Sequence, residues 1–193
     1  MKKIILSKII LGAALALFTL NSCKNESKQE DPKEVAEEQN EANIQNENVE
    51  DDADHLVDAA AINLCEIEIG KLAQEKGMSQ DVKKFGKMLV TDHEKALEET
   101  KTLADKKAII LPSSITEDGR DKYNKLKDES AEDFDKKFAD MMVDGHQDAI
   151  DKMEKIAEKA NDADIKTWAA NQISPLTAHL TEAKRIQEMQ KNK

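Results

Sequence analysis

Residues 80–107, QDVKKFGKMLVTDHEKALEETKTLADKK, decide the fold class. Val82, Phe85, Met88, Leu89, Ala96, Leu97 and Leu103 recur at intervals of three and four, the period of a helix with one apolar face. Ser79 just before the run is an N-cap residue, and Asp81 in the first turn suits the positive end of the helix dipole. His93 lies four residues after Leu89 and four before Leu97, so an imidazole interrupts the stripe that turns toward the core.

The same pattern extends to both sides. Upstream, Leu56, Ala60, Asn63, Leu64, Ile67 and Lys71 trace one helical face, and Ala59, Ile62, Glu66, Ile69 and Ala73 trace a second stripe beside it, until Gly77 stops the helix. Downstream, the apolar run Ile109-Ile110-Leu111 is closed by Pro112, and Ser114-x-x-Glu117 reads as the start of a short polar helix with Tyr123 and Leu126. Ser130-x-x-Asp133 opens a third long helix on Phe134, Phe138, Met141, Met142, Ala149, Ile150, Met153, Ile156 and Ala157. After a turn at 161–164, a fourth runs to about Gln190 on Ile165, Trp168, Ala169, Ile173, Leu176, Leu180, Ala183 and Ile186. Pro175 inside that helix either kinks it before His179 or restarts it after Ser174.

Link lengths predict the topology. The first and last links are a few residues long and make antiparallel hairpins, while the middle link of about twenty residues can travel the length of the domain and set the second and third long helices parallel. The expectation is all-α: a four-helix bundle, ferritin-like, with one long crossover connection that contains a short extra helix.

His146 lies four residues after Met142 and four before Ile150, and His179 three after Leu176 and four before Ala183, so each interrupts an apolar stripe as His93 does. Glu66 sits near the middle of the remaining long helix. Mid-helix groups share a layer whichever way the helices run, and bundles build metal sites from such inward-facing side chains. Two readings fit. Glu66, His93, His146 and His179 hold a transition metal such as zinc, copper or iron, or they form a buried polar layer that satisfies itself and fixes register. His55, at the start of its helix, belongs to neither. No Glu-x-x-His occurs, which disfavours a carboxylate-bridged di-iron centre, and the phosphate-loop, Gly-x-Ser-x-Gly and Cys-x-x-Cys signatures are absent, so no catalytic residue is assigned and the reading leans against an enzyme.

HLVDAAAINLCEIEIG at 55–70, VKKFGKMLVTDH at 82–93, Phe134-Asp135 with Met142 and His146, and Ile173-x-Pro175-Leu176-x-x-His179-Leu180 together resemble the bacterial family called domain of unknown function 4142. The resemblance covers the whole predicted domain and implies an exported, ferritin-like bundle with no settled activity. It puts Glu66, Asp92, His93, His146, Pro175 and His179 on the family's motif positions, with Asp92 as an outer partner of the site. Gly145 stands where the family tends to carry an acid.

The N-terminus bears on location. Lys2, Lys3 and Lys8 precede the apolar run Ile9 to Leu20, which is too short to span a bilayer and ends in Leu20-Asn21-Ser22-Cys23. That ending resembles a lipobox, which makes 1–22 a lipoprotein signal peptide and Cys23 an acylated, palmitate-bearing N-terminus. Lys24 at the next position resembles lipoproteins sorted to the outer membrane, facing the periplasm or the cell surface. Cys65 is then the remaining thiol, read as a small buried hydrophobe with no disulfide partner. Residues 23–54 read as a disordered tether, because 24–54 holds twelve acids against three lysines and few large apolar residues. The domain is assigned to 55–193. A formal charge of −11 leaves no basic patch for nucleic acid, and the partner implied is the membrane, through the lipid; a protein partner is not specified. Two functional classes follow: a membrane-anchored metal-binding envelope protein of metal handling or oxidative defence, or a non-enzymatic structural or protein-interaction lipoprotein without metal.

Overall fold

Six helices and no strand make up the described residues of the computed structural model, which are 30–191: α1 (Pro32–Asn43), α2 (Glu47–Lys76), α3 (Gln80–Lys107), α4 (Glu117–Lys127), α5 (Ala131–Lys159) and α6 (Ala163–Lys191). None of them is long and apolar enough to cross a membrane. The signal-peptide and lipidation expectations, Cys23 included, lie outside these residues.

Two hairpins, α2–α3 and α5–α6, pack along their whole lengths, and they meet through α3 against α6 and α2 against α5. A pair of buried carboxylates shows how the hairpins are joined. Asp135, near the start of α5, accepts the backbone N–H groups of Met78 and Ser79 at 2.8 Å each, in the α2–α3 turn. Asp52, early in α2, accepts those of Asn161 and Asp162 at 2.9 and 2.7 Å, in the α5–α6 turn. The beginnings of α3 and α5 therefore share one end of the molecule, α3 and α5 run parallel, and the connection at 108–130 with α4 crosses the length of the domain. Each clamp satisfies N–H groups that a helix start leaves without an intrahelical partner.

Local signals explain most boundaries. Ser79 accepts from Val82 N–H and Ser130 from Asp133 N–H, as N-caps should. Gly77 ends α2 in a space where a Cβ would stand 2.5 Å from the Ala73 carbonyl oxygen and 2.7 Å from Val82. One expectation shifts: the cap of α4 is Thr116, whose hydroxyl takes Gly119 N–H, rather than Ser114. The end of α3 at Lys107 is as expected, followed by Ala108 in the left-handed region (φ 55), with Ile109 buried in the core and Pro112 beyond the helix. Helix α6 continues unbroken through Pro175, so Ser174 does not restart it.

The larger correction is the tether. From Pro32 onward it is helical: α1 occupies 32–43, and α2 begins at Glu47, not near His55. Net charge and low hydropathy argued for disorder, but only one narrow stripe has to be buried. Pro32, Ala36 and Asn40 recur every fourth residue and face the domain, while the acids point outward. The Asn40 amide forms a two-way pair with Ile110, donating to its carbonyl and accepting its N–H at 2.8 Å each, which ties α1 to the crossover segment. Lys33 reaches Asp58 of α2 at 2.6 Å, and Asp31 caps both α1 and, through Glu117 N–H, the start of α4.

Candidate metal centre

Most of the core falls into two apolar blocks, with a smaller third cluster of Ala60, Ile67 and Leu97. One gathers Leu72, Val82, Phe85, Leu89, Phe134 and Phe138 near the α2–α3 turn; the other gathers Leu56, Leu103, Ile150, Ile156, Ile165 and Trp168 toward the α5–α6 turn. The polar layer lies between them. His93 comes from α3, His146 from α5 and His179 from α6, all buried, and one ring nitrogen of each falls within 4.8 Å of the other two. Ring centroids are separated by 5.2 to 5.8 Å. The Phe85 ring closes one side of the layer, with its centroid 6.1 Å from that of His179 and 6.4 Å from that of His146.

Hydrogen bonds on the outer side of each ring fix its proton. His93 Nδ1 donates to Asn63 Oδ1 at 2.8 Å, His146 Nδ1 to the Met142 carbonyl at 2.9 Å, and His179 Nε2 to Asp92 Oδ2 at 2.9 Å. An amide oxygen, a carbonyl and a carboxylate can only accept, so a neutral ring must turn an unprotonated nitrogen inward. The inward atoms are His93 Nε2, His146 Nε2 and His179 Nδ1. The first is buried without a hydrogen-bond partner, and the other two stand 3.2 Å apart with no proton left to share. Burial, then the neighbouring His146 and His179, push the His93 pKa well below its usual value, which keeps the ring neutral. Burial also lowers that of His179, against the opposing pull of Asp92. Three convergent imidazole lone pairs with their outer N–H groups held in place form a donor set of the kind that binds divalent first-row metals.

Glu66 is brought to the same layer but not into this cluster. Its carboxyl is buried beside Gly145, where a Cβ would stand 3.7 Å from Oε1, and its Oε2 has no hydrogen-bond partner. Burial raises its pKa, opposed by His146 and Lys122. Asp92 serves His179 rather than its sequence neighbour His93, whose outer partner is Asn63 instead. Asn63 was visible in the sequence only as a polar member of an apolar stripe. His55 stays outside the cluster. Cys65 is buried, its thiol 3.7 Å from the Gly119 carbonyl oxygen and its pKa pushed up to about 12 by burial, in keeping with a packing role.

No curated protein and no solved structure matches the chain. A family model does: residues 36–186 match the one described as Domain of unknown function (DUF4142), a span that begins inside α1 and ends in α6. That match covers well over half of the sequence, and the chain is a member of this family.

Proposed function

We propose that this chain is an exported, lipid-anchored envelope protein whose ferritin-like four-helix bundle, α2, α3, α5 and α6, holds a first-row transition metal on His93, His146 and His179, in metal handling or oxidative defence. One observation carries the metal reading: three buried inward nitrogens face one another, and one of them, His93 Nε2, has no hydrogen-bond partner. Metal-bound imidazoles that share an ion stand about 3.3 Å apart at the usual bond length of about 2 Å, a spacing the His146–His179 pair already has. Glu66 is close enough to influence His146 but acts on the centre from outside the ligand set.

The 3.2 Å His146–His179 contact also favours a second reading. A third proton shared by the two rings, balanced by the Asp92 carboxylate, would give a polar layer that fixes helix register and needs no metal. Titration calorimetry with zinc and with copper separates the two. Wild type should bind one equivalent, His93→Ala and His146→Ala should each lose at least tenfold in affinity, and His55→Ala should bind as wild type does. Equal binding by all four proteins refutes the metal reading.

The anchor rests on the Leu20-Asn21-Ser22-Cys23 sequence. Cell fractionation should find wild type with membranes and Cys23→Ala released from them. A wild-type protein wholly in the soluble fraction refutes it.

A further inference from the structure

Opposite Phe85, the histidine layer is not packed solid. His93 and His179 form part of the wall of a cavity of about 40 Å³ between α2, α3, α5 and α6. At that size the space suits a group of only a few heavy atoms. Asn63 and Asp92, the partners of His93 and His179, reach its wall, and much of the rest is small or apolar, as at Ala59, Ala96 and Met153. At the end away from the histidines stands Trp168, whose indole N–H is buried without a hydrogen-bond partner. A partnerless N–H is costly in an apolar core, and packing alone would be served as well by phenylalanine.

The cavity also has a route outward. Gln172 lines both it and two open depressions along the α3–α6 seam, and Asp92, Ala96 and Pro175 are shared with one of these. The Gln172 amide is held toward Glu99 on the outer side at 3.1 Å.

Resting on the three-histidine metal reading, we infer that this cavity is the exogenous-ligand position of the centre: a Lewis base of two or three heavy atoms enters along the α3–α6 seam and binds the metal with one end, with its other end in the part of the cavity that Trp168 walls. The three histidines leave a first-row ion short of its usual four ligands, and the side away from Phe85 is where space exists. A space of this size favours small ligands over bulky ones. The class is that of small anions such as hydroperoxide or azide rather than of an organic substrate.

Azide and cobalt(II) test this on the full-length protein, because cobalt(II) reports its coordination in the visible spectrum and the single tryptophan is Trp168. Azide added to the cobalt-loaded protein should change the cobalt bands and the Trp168 fluorescence together, with saturation at one equivalent. Imidazole, with five heavy atoms, should change neither. Ala96→Leu places three further carbons in the cavity and should weaken azide at least tenfold while cobalt affinity stays within twofold. Trp168→Phe, which keeps an aromatic ring, should weaken azide about three- to tenfold by removing the N–H, and it serves if Ala96→Leu fails to fold. Cobalt binding with no azide response, or an azide response unchanged in the variants, overturns this inference and leaves the metal reading intact. Failure of wild type to bind cobalt overturns both.

Discussion

Removing either carboxylate clamp should destabilise the domain more than any surface change. Asp52 and Asp135 are each 3% exposed, and each accepts two backbone N–H groups from a turn in the opposite hairpin. Hydrogen bonds to a charged acceptor contribute about 1.5–3 kcal/mol each, so Asp52→Ala or Asp135→Ala should cost roughly 3–5 kcal/mol. For a domain of this size that lowers Tm by roughly 6–20 °C. Asp→Asn keeps one acceptor oxygen and should cost about half as much. The clamps lie at opposite ends of helices on the order of 40 Å long, so the double alanine variant should be additive within about 0.5 kcal/mol. Thermal melts followed by circular dichroism, with urea titrations for the free energies, measure all of this. A shift under about 2 °C for either alanine variant would show that the turns do not depend on the clamps, and coupling above about 1 kcal/mol would contradict their independence.

Asn40→Ala breaks the two-way pair with Ile110 and should cost about 1–2 kcal/mol; limited proteolysis should then cut between 31 and 46 faster than in wild type, and unchanged cleavage would show that α1 is held by other contacts. Gly86→Ala puts a Cβ 2.6 Å from the Gly70 carbonyl oxygen, where α2 and α3 approach closely; overpacking of about 1–3 kcal/mol should exceed the helix-propensity gain of about 0.5–1 kcal/mol, and a stabilised variant would refute the close approach. Burial pushes the Asp58 carboxyl up, but hydrogen bonds from Lys152 and Lys33 prevail and hold it below its usual value. A depressed folded-state pKa gives stability that is present above the unfolded value near 4 and lost as pH falls through the lower folded value. Asp58→Asn should accordingly be less stable than wild type at pH 7 and converge with it below about pH 4, whereas a gap that stays constant with pH would refute the ion-pair account.

How much of this was readable follows from the range of each signal. The helices, the Ser79 and Ser130 caps and the three histidines rest on spacings of three and four residues, which sequence displays directly. Asp52 and Asp135 look like ordinary helix acids, because their partners are some 110 and 57 residues away. Asn40 is equally mute until Ile110 is beside it. Composition misjudged α1: its acids outnumber its apolar residues, yet Asp31-Pro32 is an N-cap followed by proline at the first position, a local start signal that charge counting overrode. Periodicity turns Glu66 inward, and it is buried beside Gly145, but helix phase does not say how far a side chain reaches across a bundle.

X-ray absorption on the zinc-loaded protein tests the central claim most directly. Three imidazoles on one ion should appear as a nitrogen shell near 2.0–2.1 Å with the outer-ring scattering of about three histidines, reduced to two in His93→Ala. A shell of oxygen ligands without imidazole scattering, or a spectrum that His93→Ala leaves unchanged, would contradict a metal centre at His93, His146 and His179.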